Sequence, residues 1–95
     1  MKIRNLAGRF AEDKDVARRI RTEHVLPAVE AGKKIVLDFS GVDVATQSFI
    51  HALVSAAIRR HGNEALRHLE FKSCTRSVKS AILTVVDYSL EVIDA

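Results

Sequence analysis

The sequence predicts an α/β fold with a small, single-layer, mostly parallel sheet and alternating helices. Three observations favour this class: a nearly continuous apolar run at residues 35–39, an amphipathic segment that ends at Gly62, and a period-two segment at residues 69–73. Strands that alternate with helices form βαβ units with right-handed crossovers, which produce parallel sheets. With 95 residues, of which 47% are hydrophobic and 28% charged, we expect one domain over residues 1–95.

The first third of the chain carries a strand pattern followed by a helical pattern. Residues 1–6 alternate apolar with polar side chains, which predicts a strand. Residues 12–31 have helical spacing with acidic side chains in the first turn. Pro27 interrupts this pattern, so the helix either ends near Leu26 or restarts with Pro27 in a first turn, and Gly32 closes the segment.

The centre of the chain carries the clearest signals. Residues 35–39 predict a central strand that is covered on both faces. After a loop at residues 40–46, Thr46 or Ser48 can cap an amphipathic helix, which Gly62 ends. The predicted buried face of this helix carries five residues at helical spacing, which are Ile50, Leu53, Val54, Ala57 and Ile58.

The last third predicts one more strand and one more helix. A loop around Asn63 leads to the strand at residues 69–73, after which Thr75 can cap a helix. The apolar face of this helix repeats the earlier spacing with Val78, Ala81, Ile82, Val85 and Val86. Residues 89–95 are compatible with a short edge strand, and the sequence leaves this point open.

The composition indicates the cellular compartment of the protein and excludes some classes of ligand. The apolar runs fall short of the roughly 20 residues of a membrane span, and no apolar signal segment follows Arg4. The lone Cys74 suits a reducing compartment, so we expect a cytoplasmic protein without a membrane partner. The four histidines lack the spacing of metal ligands, and no phosphate-binding glycine motif is present, so we expect no metal and no cofactor.

Asp38 interrupts the apolar run of the central strand near its end. There it can accept hydrogen bonds from backbone N–H groups of the following loop, so we assign loop-structuring roles to Asp38 and Gly41. A catalytic role needs a partner that the sequence does not provide, and we predict no catalytic residues. An enzyme built on Ser48, Asp38 and a histidine would require these side chains to form a hydrogen-bonded trio.

The loop and the start of the central helix carry a recognisable pattern. Residues 36–42 read Val-Leu-Asp-Phe-Ser-Gly-Val, and residues 45–49 read Ala-Thr-Gln-Ser-Phe at the start of a helix. Both segments, with the spacing between them, resemble the STAS-like family over roughly residues 30–88. That bacterial family of uncharacterised function is related to the anti-sigma-factor-antagonist STAS domains. The resemblance implies a STAS-like fold and a regulatory, non-enzymatic role in binding a protein partner.

The same resemblance implies a phosphorylation site. In the anti-sigma-factor-antagonist group, ATPases of the histidine-kinase-like fold phosphorylate a serine at a helix start, and the matching residue is Ser48. That group has Asp-Ser-Ser-Gly where residues 46–49 read Thr-Gln-Ser-Phe, so the acid and the glycine are missing. The commonest role of a serine at this position is local capping. The predicted partner-binding residues are Asp43, Thr46, Gln47, Ser48 and Phe49.

Two alternatives accompany these predictions. Phe49 is either an exposed docking anchor or a core aromatic, and the scarcity of aromatic residues favours the core. The net charge of +3 permits a nucleic-acid-associated accessory module, although the interspersed charges argue against a nucleic-acid partner. That module would use basic helix faces at Arg18, Arg19, Arg21, Arg59 and Arg60. The sequence leaves open whether the domain acts as a monomer or as a homodimer.

Overall fold

The computed structural model describes residues 1–94, with side-chain surroundings for residues 1–91. The predicted α/β class is confirmed, with helices more extensive than strands. In chain order the elements are α1 (Arg4–Ala7), β1 (Phe10–Ala11), α2 (Lys14–Ile20), a π-helical turn (Arg21–Val25), α3 (Leu26–Glu30), β2 (Ile35–Asp38), β3 (Val44–Ala45), α4 (Gln47–His61), α5 (Asn63–His68), β4 (Leu69–Lys72) and α6 (Arg76–Asp94).

All strand pairs within residues 1–94 are parallel, as predicted. β2 pairs with β4, and β1 pairs with β3. These pairs form two separate two-stranded sheets instead of the single sheet that was predicted, and β1 and β3 are only two residues long. Of the predicted central strand, Leu37 is fully buried, whereas Ile35 and Val36 are only partly covered.

The prediction of a strand at residues 1–6 is wrong, because this segment contributes only a single β-bridge. The Ile3 N–H donates to the Asp38 carbonyl at 2.9 Å, and the Asp38 N–H donates to the Met1 carbonyl at 2.9 Å. The chain then turns into α1, which ends at Gly8 with φ of 77°. A short alternating segment also satisfies helical i, i+3 spacing, and glycine accepts the positive φ that ends a helix turn.

The helical segment that begins with α2 continues through Pro27, because a π-helical turn separates α2 from α3. The Leu26 N–H donates to the Arg21 carbonyl, five residues earlier, in the π-helical turn. α3 then restarts with Pro27 in its first turn, which is one of the two predicted outcomes. In a regular α-helix the proline ring would press against the carbonyl four residues earlier, so the wider turn before it relieves that contact.

α4 is the central helix and packs between α2 and α6. Thr46 rather than Ser48 caps it, because the Thr46 Oγ1 accepts a hydrogen bond from the Phe49 N–H at 3.1 Å. Gly62 ends it with φ of 60°, as predicted. The predicted buried face is confirmed, since all five residues are fully inaccessible: Ile50, Leu53, Val54, Ala57 and Ile58.

The loop predicted around Asn63 is instead the short helix α5. Its sequence, Asn-Glu-Ala-Leu-Arg-His, is rich in helix-forming residues, and Ala65 is fully buried. α5 leads directly into β4, which confirms the predicted third strand as far as Lys72.

The final helix, α6, begins as predicted and extends further. The Thr75 Oγ1 accepts a hydrogen bond from the Val78 N–H at 3.1 Å, which caps the first turn. The helix continues to Asp94, so residues 89–94 form no edge strand, and Ala95 lies outside the described residues. None of the helices within residues 1–94 has the length and apolarity needed to cross a membrane.

Candidate functional site

The loop between β2 and α4 is held by hydrogen bonds at its first turn. The Asp38 Oδ1 accepts a hydrogen bond from the Ser40 N–H at 2.9 Å, which forms an Asx turn. Gly41 follows with φ of 79°, and a Cβ there would collide with the Arg4 side chain. The turn therefore depends on both the Asp38 carboxylate and the missing side chain at Gly41.

The hydrogen bond from the Ser40 N–H lowers the pKa of the Asp38 carboxyl below its usual value. Because folding favours the charged form, the contribution of Asp38 to stability is complete above the unfolded pKa of about 3.9 and is lost as pH falls through the folded value. We therefore expect the stability difference between the wild type and Asp38→Asn to shrink below about pH 4. Urea denaturation at a series of pH values measures this difference.

Asp87 provides the control for this experiment, because it is exposed on α6, away from the loop. Asp87→Asn removes the same charge at a position that does not bond to the Ser40 N–H. Because asparagine at position 38 keeps an oxygen that can accept this hydrogen bond, the comparison isolates the effect of the Asp38 charge. If the two variants gave the same dependence of stability on pH, the assigned role of Asp38 would be wrong.

Asp43 connects three segments near the end of the loop. Its carboxylate forms a salt bridge with Arg9, with 2.7 Å between the Arg9 Nη2 and the Asp43 Oδ2. Its backbone carbonyl accepts a hydrogen bond from the Thr75 Oγ1 at 3.0 Å. Since the salt bridge is exposed, it contributes little to stability, and it places a charged pair at the surface beside β1 and β3.

The first turn of α4 separates the predicted partner-binding residues into two groups. Gln47 and Ser48 are exposed and Thr46 is half-buried, so these three border the surface. Phe49 is fully buried, so the core alternative is the one that the structure supports. Phe49 is therefore corrected from a docking residue to a core residue, because helical spacing turns its side chain inward with Ile50.

Two apolar residues at this surface are not among those predicted from the sequence. Phe10 and Val44 are directly paired across β1 and β3, and they are 63% and 38% exposed. The Thr46 N–H donates to the Ala11 carbonyl at 2.9 Å, which ties the start of α4 to this strand pair. Two-residue strands leave too little pattern to predict, and the loop sequence does not distinguish the exposed Val44 from the buried Val42.

Comparison with known families matches residues 16–79 to the STAS-like domain of unknown function (DUF4325). The chain belongs to this family. The match overlaps most of the region in which the sequence resembles STAS-like proteins, and it includes the loop and all of α4. No curated protein and no solved structure matches the chain.

The STAS-like domain also carries a basic groove that sequence analysis did not predict. α4 forms its floor, and α2 and α6 form its walls. Of the five arginines considered for nucleic-acid binding, Arg18, Arg21 and Arg59 line this groove, whereas Arg19 and Arg60 do not. The arginines thus fall on different surfaces, and Ser48 lies at the edge of the groove.

His51 occupies the groove floor in a defined tautomer. Its Nε2 lies 3.2 Å from the Arg59 Nη2, and its Nδ1 lies 3.4 Å from the Ser55 Oγ. A guanidinium only donates, so the Nε2 accepts and the Nδ1 carries the hydrogen. Burial, together with the charge of Arg59, lowers the pKa of His51, which favours this neutral form.

The hydrogen-bonded trio required by an enzyme hypothesis is not formed among the described residues. Asp38 bonds to Ser40, and His51 bonds to Ser55 and Arg59, so neither bonds to Ser48. Cys74 is partly buried just before α6, and burial raises the pKa of its thiol, which therefore stays protonated at neutral pH. Within residues 1–91, no three His, Cys, Asp or Glu side chains gather as metal ligands.

Proposed function

We propose that this STAS-like domain is a regulatory protein-binding module whose docking surface is switched by phosphorylation of Ser48. The observation that carries the proposal is the exposure of Ser48 in the first turn of α4, close in the chain to the exposed Val44. The docking surface consists of Phe10, Asp43, Val44, Gln47 and Ser48.

The composition of the docking surface supports protein binding. The paired side chains of Phe10 and Val44 offer an apolar centre, and the Arg9–Asp43 salt bridge with Gln47 offers a polar rim. Protein interfaces commonly combine an apolar centre with a polar rim. Family membership agrees with this role, because STAS-like domains generally act as binding modules.

A phosphate on Ser48 would change the docking surface without disrupting the fold. It would add about 1.5 to 2 negative charges at the second residue of α4, where helix N–H groups and the helix dipole favour negative charge. Lys14 and Arg18 line the groove that Ser48 borders, which further favours an anion. A partner would bury a neutral hydroxyl readily but not an unpaired dianion, so phosphorylation would release it.

The resemblance to anti-sigma-factor antagonists supplies the candidate partner class. In this proposal an ATPase of the histidine-kinase-like fold docks on the surface and phosphorylates Ser48. The nucleic-acid alternative receives less support, because its five arginines do not share one surface.

The proposal is tested by the intact mass of the protein purified from its own cells under several growth conditions. We expect a phosphate-sized gain in mass that Ser48→Ala abolishes. Ser77→Ala is the matched control, because Ser77 is also exposed and also follows a capping threonine by two residues, at the start of α6. A gain that Ser77→Ala abolishes, or an unmodified protein under every condition, would contradict the switch.

A further inference from the structure

The basic groove is a concave site of small-molecule size. Its volume is about 700 Å³, within the range of roughly 300–1,000 Å³ that ligand pockets occupy. Lys14, Arg18 and Arg21 recur along one wall at i, i+4 and i+7, which places them on one helical face. Small side chains at Ala52 and Ala56 leave the floor open between the two walls.

The charge of the groove is one-sided. Four cationic side chains line it, and no carboxylate of the described residues does. Among residues 1–91, Arg18 is the one of these four that forms a salt bridge, with Asp15 at 3.1 Å, and the Asp15 side chain is 85% exposed. Four like charges around one cavity repel one another, so an anion between them gains from all four and relieves their repulsion.

One donor of the groove, Arg59, is held in place before any ligand arrives. His51 accepts a hydrogen bond from the Arg59 Nη2, which orients this guanidinium across the floor and leaves its other N–H groups available. Arginine guanidinium groups match phosphate oxygens with two parallel hydrogen bonds.

The α6 wall of the groove carries an exposed aromatic ring. Tyr88 is 53% exposed, and its ring centroid lies 6.4 Å from that of His51, with the two planes tilted by 50°. Val85 lies beside it on the same wall. If the basic side chains hold the phosphates of a ligand, the organic part of that ligand can pack against the exposed ring of Tyr88.

We propose that this groove binds a small, multiply phosphorylated molecule, with the phosphates on Lys14, Arg18, Arg21 and Arg59 and the organic part against Tyr88. The proposal does not rest on phosphorylation of Ser48. The convergence of four basic side chains on one concavity of about 700 Å³ favours a small ligand, since a nucleic-acid strand would use basic residues arranged along an extended surface.

The first test is calorimetric titration of the full chain with inorganic triphosphate at about 0.15 M ionic strength, which screens diffuse surface charge. We expect binding that Arg59→Gln weakens about tenfold, because it removes a charged hydrogen-bond donor. Arg60→Gln is the matched control, since it removes the same charge from the adjacent exposed residue outside the groove. We expect it to change the affinity less than about twofold.

A second pair of variants adds a charge instead of removing one. Ser48→Asp places a carboxylate at the edge of the groove and is expected to weaken triphosphate binding. Ser77→Asp adds the same charge at the equivalent helix position, away from the groove, and is expected to leave binding unchanged. Because both serines are exposed, neither variant should unfold the domain, and circular dichroism checks this.

Three results would overturn the proposal. If triphosphate does not bind at millimolar concentration, the groove is not the proposed phosphate-binding site. Equal losses in Arg59→Gln and Arg60→Gln would indicate diffuse attraction to the basic surface. Tight binding of a single-stranded oligonucleotide that depends on Arg19 and Arg60 as much as on Arg59 would instead indicate a nucleic-acid surface. The outcome is separate from the phosphorylation test, because inorganic triphosphate binding is measured on the unmodified protein.

Discussion

Replacing Phe49 with alanine is expected to lower the free energy of unfolding by about 3–5 kcal/mol. The Phe49 side chain has no exposed surface, so its removal loses apolar contacts and leaves a cavity beneath the first turn of α4. Small domains have a total stability of about 5–15 kcal/mol, so the variant would lose a large share of it. Urea denaturation followed by circular dichroism measures the change.

Phe10 provides the matched control, because Phe10→Ala removes the same ring from a residue that is 63% exposed. We expect this variant to change the free energy of unfolding by less than about 1 kcal/mol. Equal losses in the two variants would contradict the assignment of Phe49 to the core and Phe10 to the surface.

Replacing Ile3 with alanine is expected to lower the free energy of unfolding by about 2–5 kcal/mol. Ile3 is fully buried although it lies outside residues 16–79, which the family comparison matches. Its neighbours are tied to β2 by backbone hydrogen bonds, so the cavity cannot close without disturbing that strand. Thermal and urea denaturation both measure the loss.

Leu6→Ala is the control for this substitution, because Leu6 lies in the same segment and is 47% exposed. We expect a much smaller loss, since about half of the residue's surface already contacts water. If Ile3→Ala were no more destabilising than Leu6→Ala, the first residues would not belong to the core.

The features that sequence predicted correctly are those with several independent signals. α4 carries a capping threonine, an apolar face at helical spacing and a terminal glycine, and all three predictions hold. β2 and β4 were predictable because each carries a pattern at least four residues long. Agreement between the local propensity and the burial pattern makes such elements reliable.

The features that sequence missed depend on contacts between distant residues. β1 and β3 have two residues each, and they pair only because the chain between them folds back. The apolar patch of Phe10 and Val44 exists only through that pairing. Similarly, Arg21 and Arg59 meet in one groove because α4 packs beside the helix that carries Arg21, which no local pattern encodes.

The sequence and the structure contribute different parts of the candidate site. The sequence indicated the loop after β2 and the helix start at Ser48, and the structure places both at the surface. It gave no decisive signal for Phe49, because apolar residues next to a helix start occur both in cores and in docking sites. Burial of the side chain decided between these alternatives.

The parallel arrangement of the strands constrains the order in which the protein can assemble. None of the strand pairs within residues 1–94 is a hairpin. The Met1 ammonium donates a hydrogen bond to the Val36 carbonyl, which is 35 residues away in the sequence. Such contacts form only after long loops close, which slows folding relative to hairpin-rich or purely helical domains of similar size. During synthesis β2 has no strand partner from β4 until Lys72 has left the ribosome. Until then β2 lacks its β4 partner and presents an unpaired strand edge, the kind of edge through which partly folded chains aggregate.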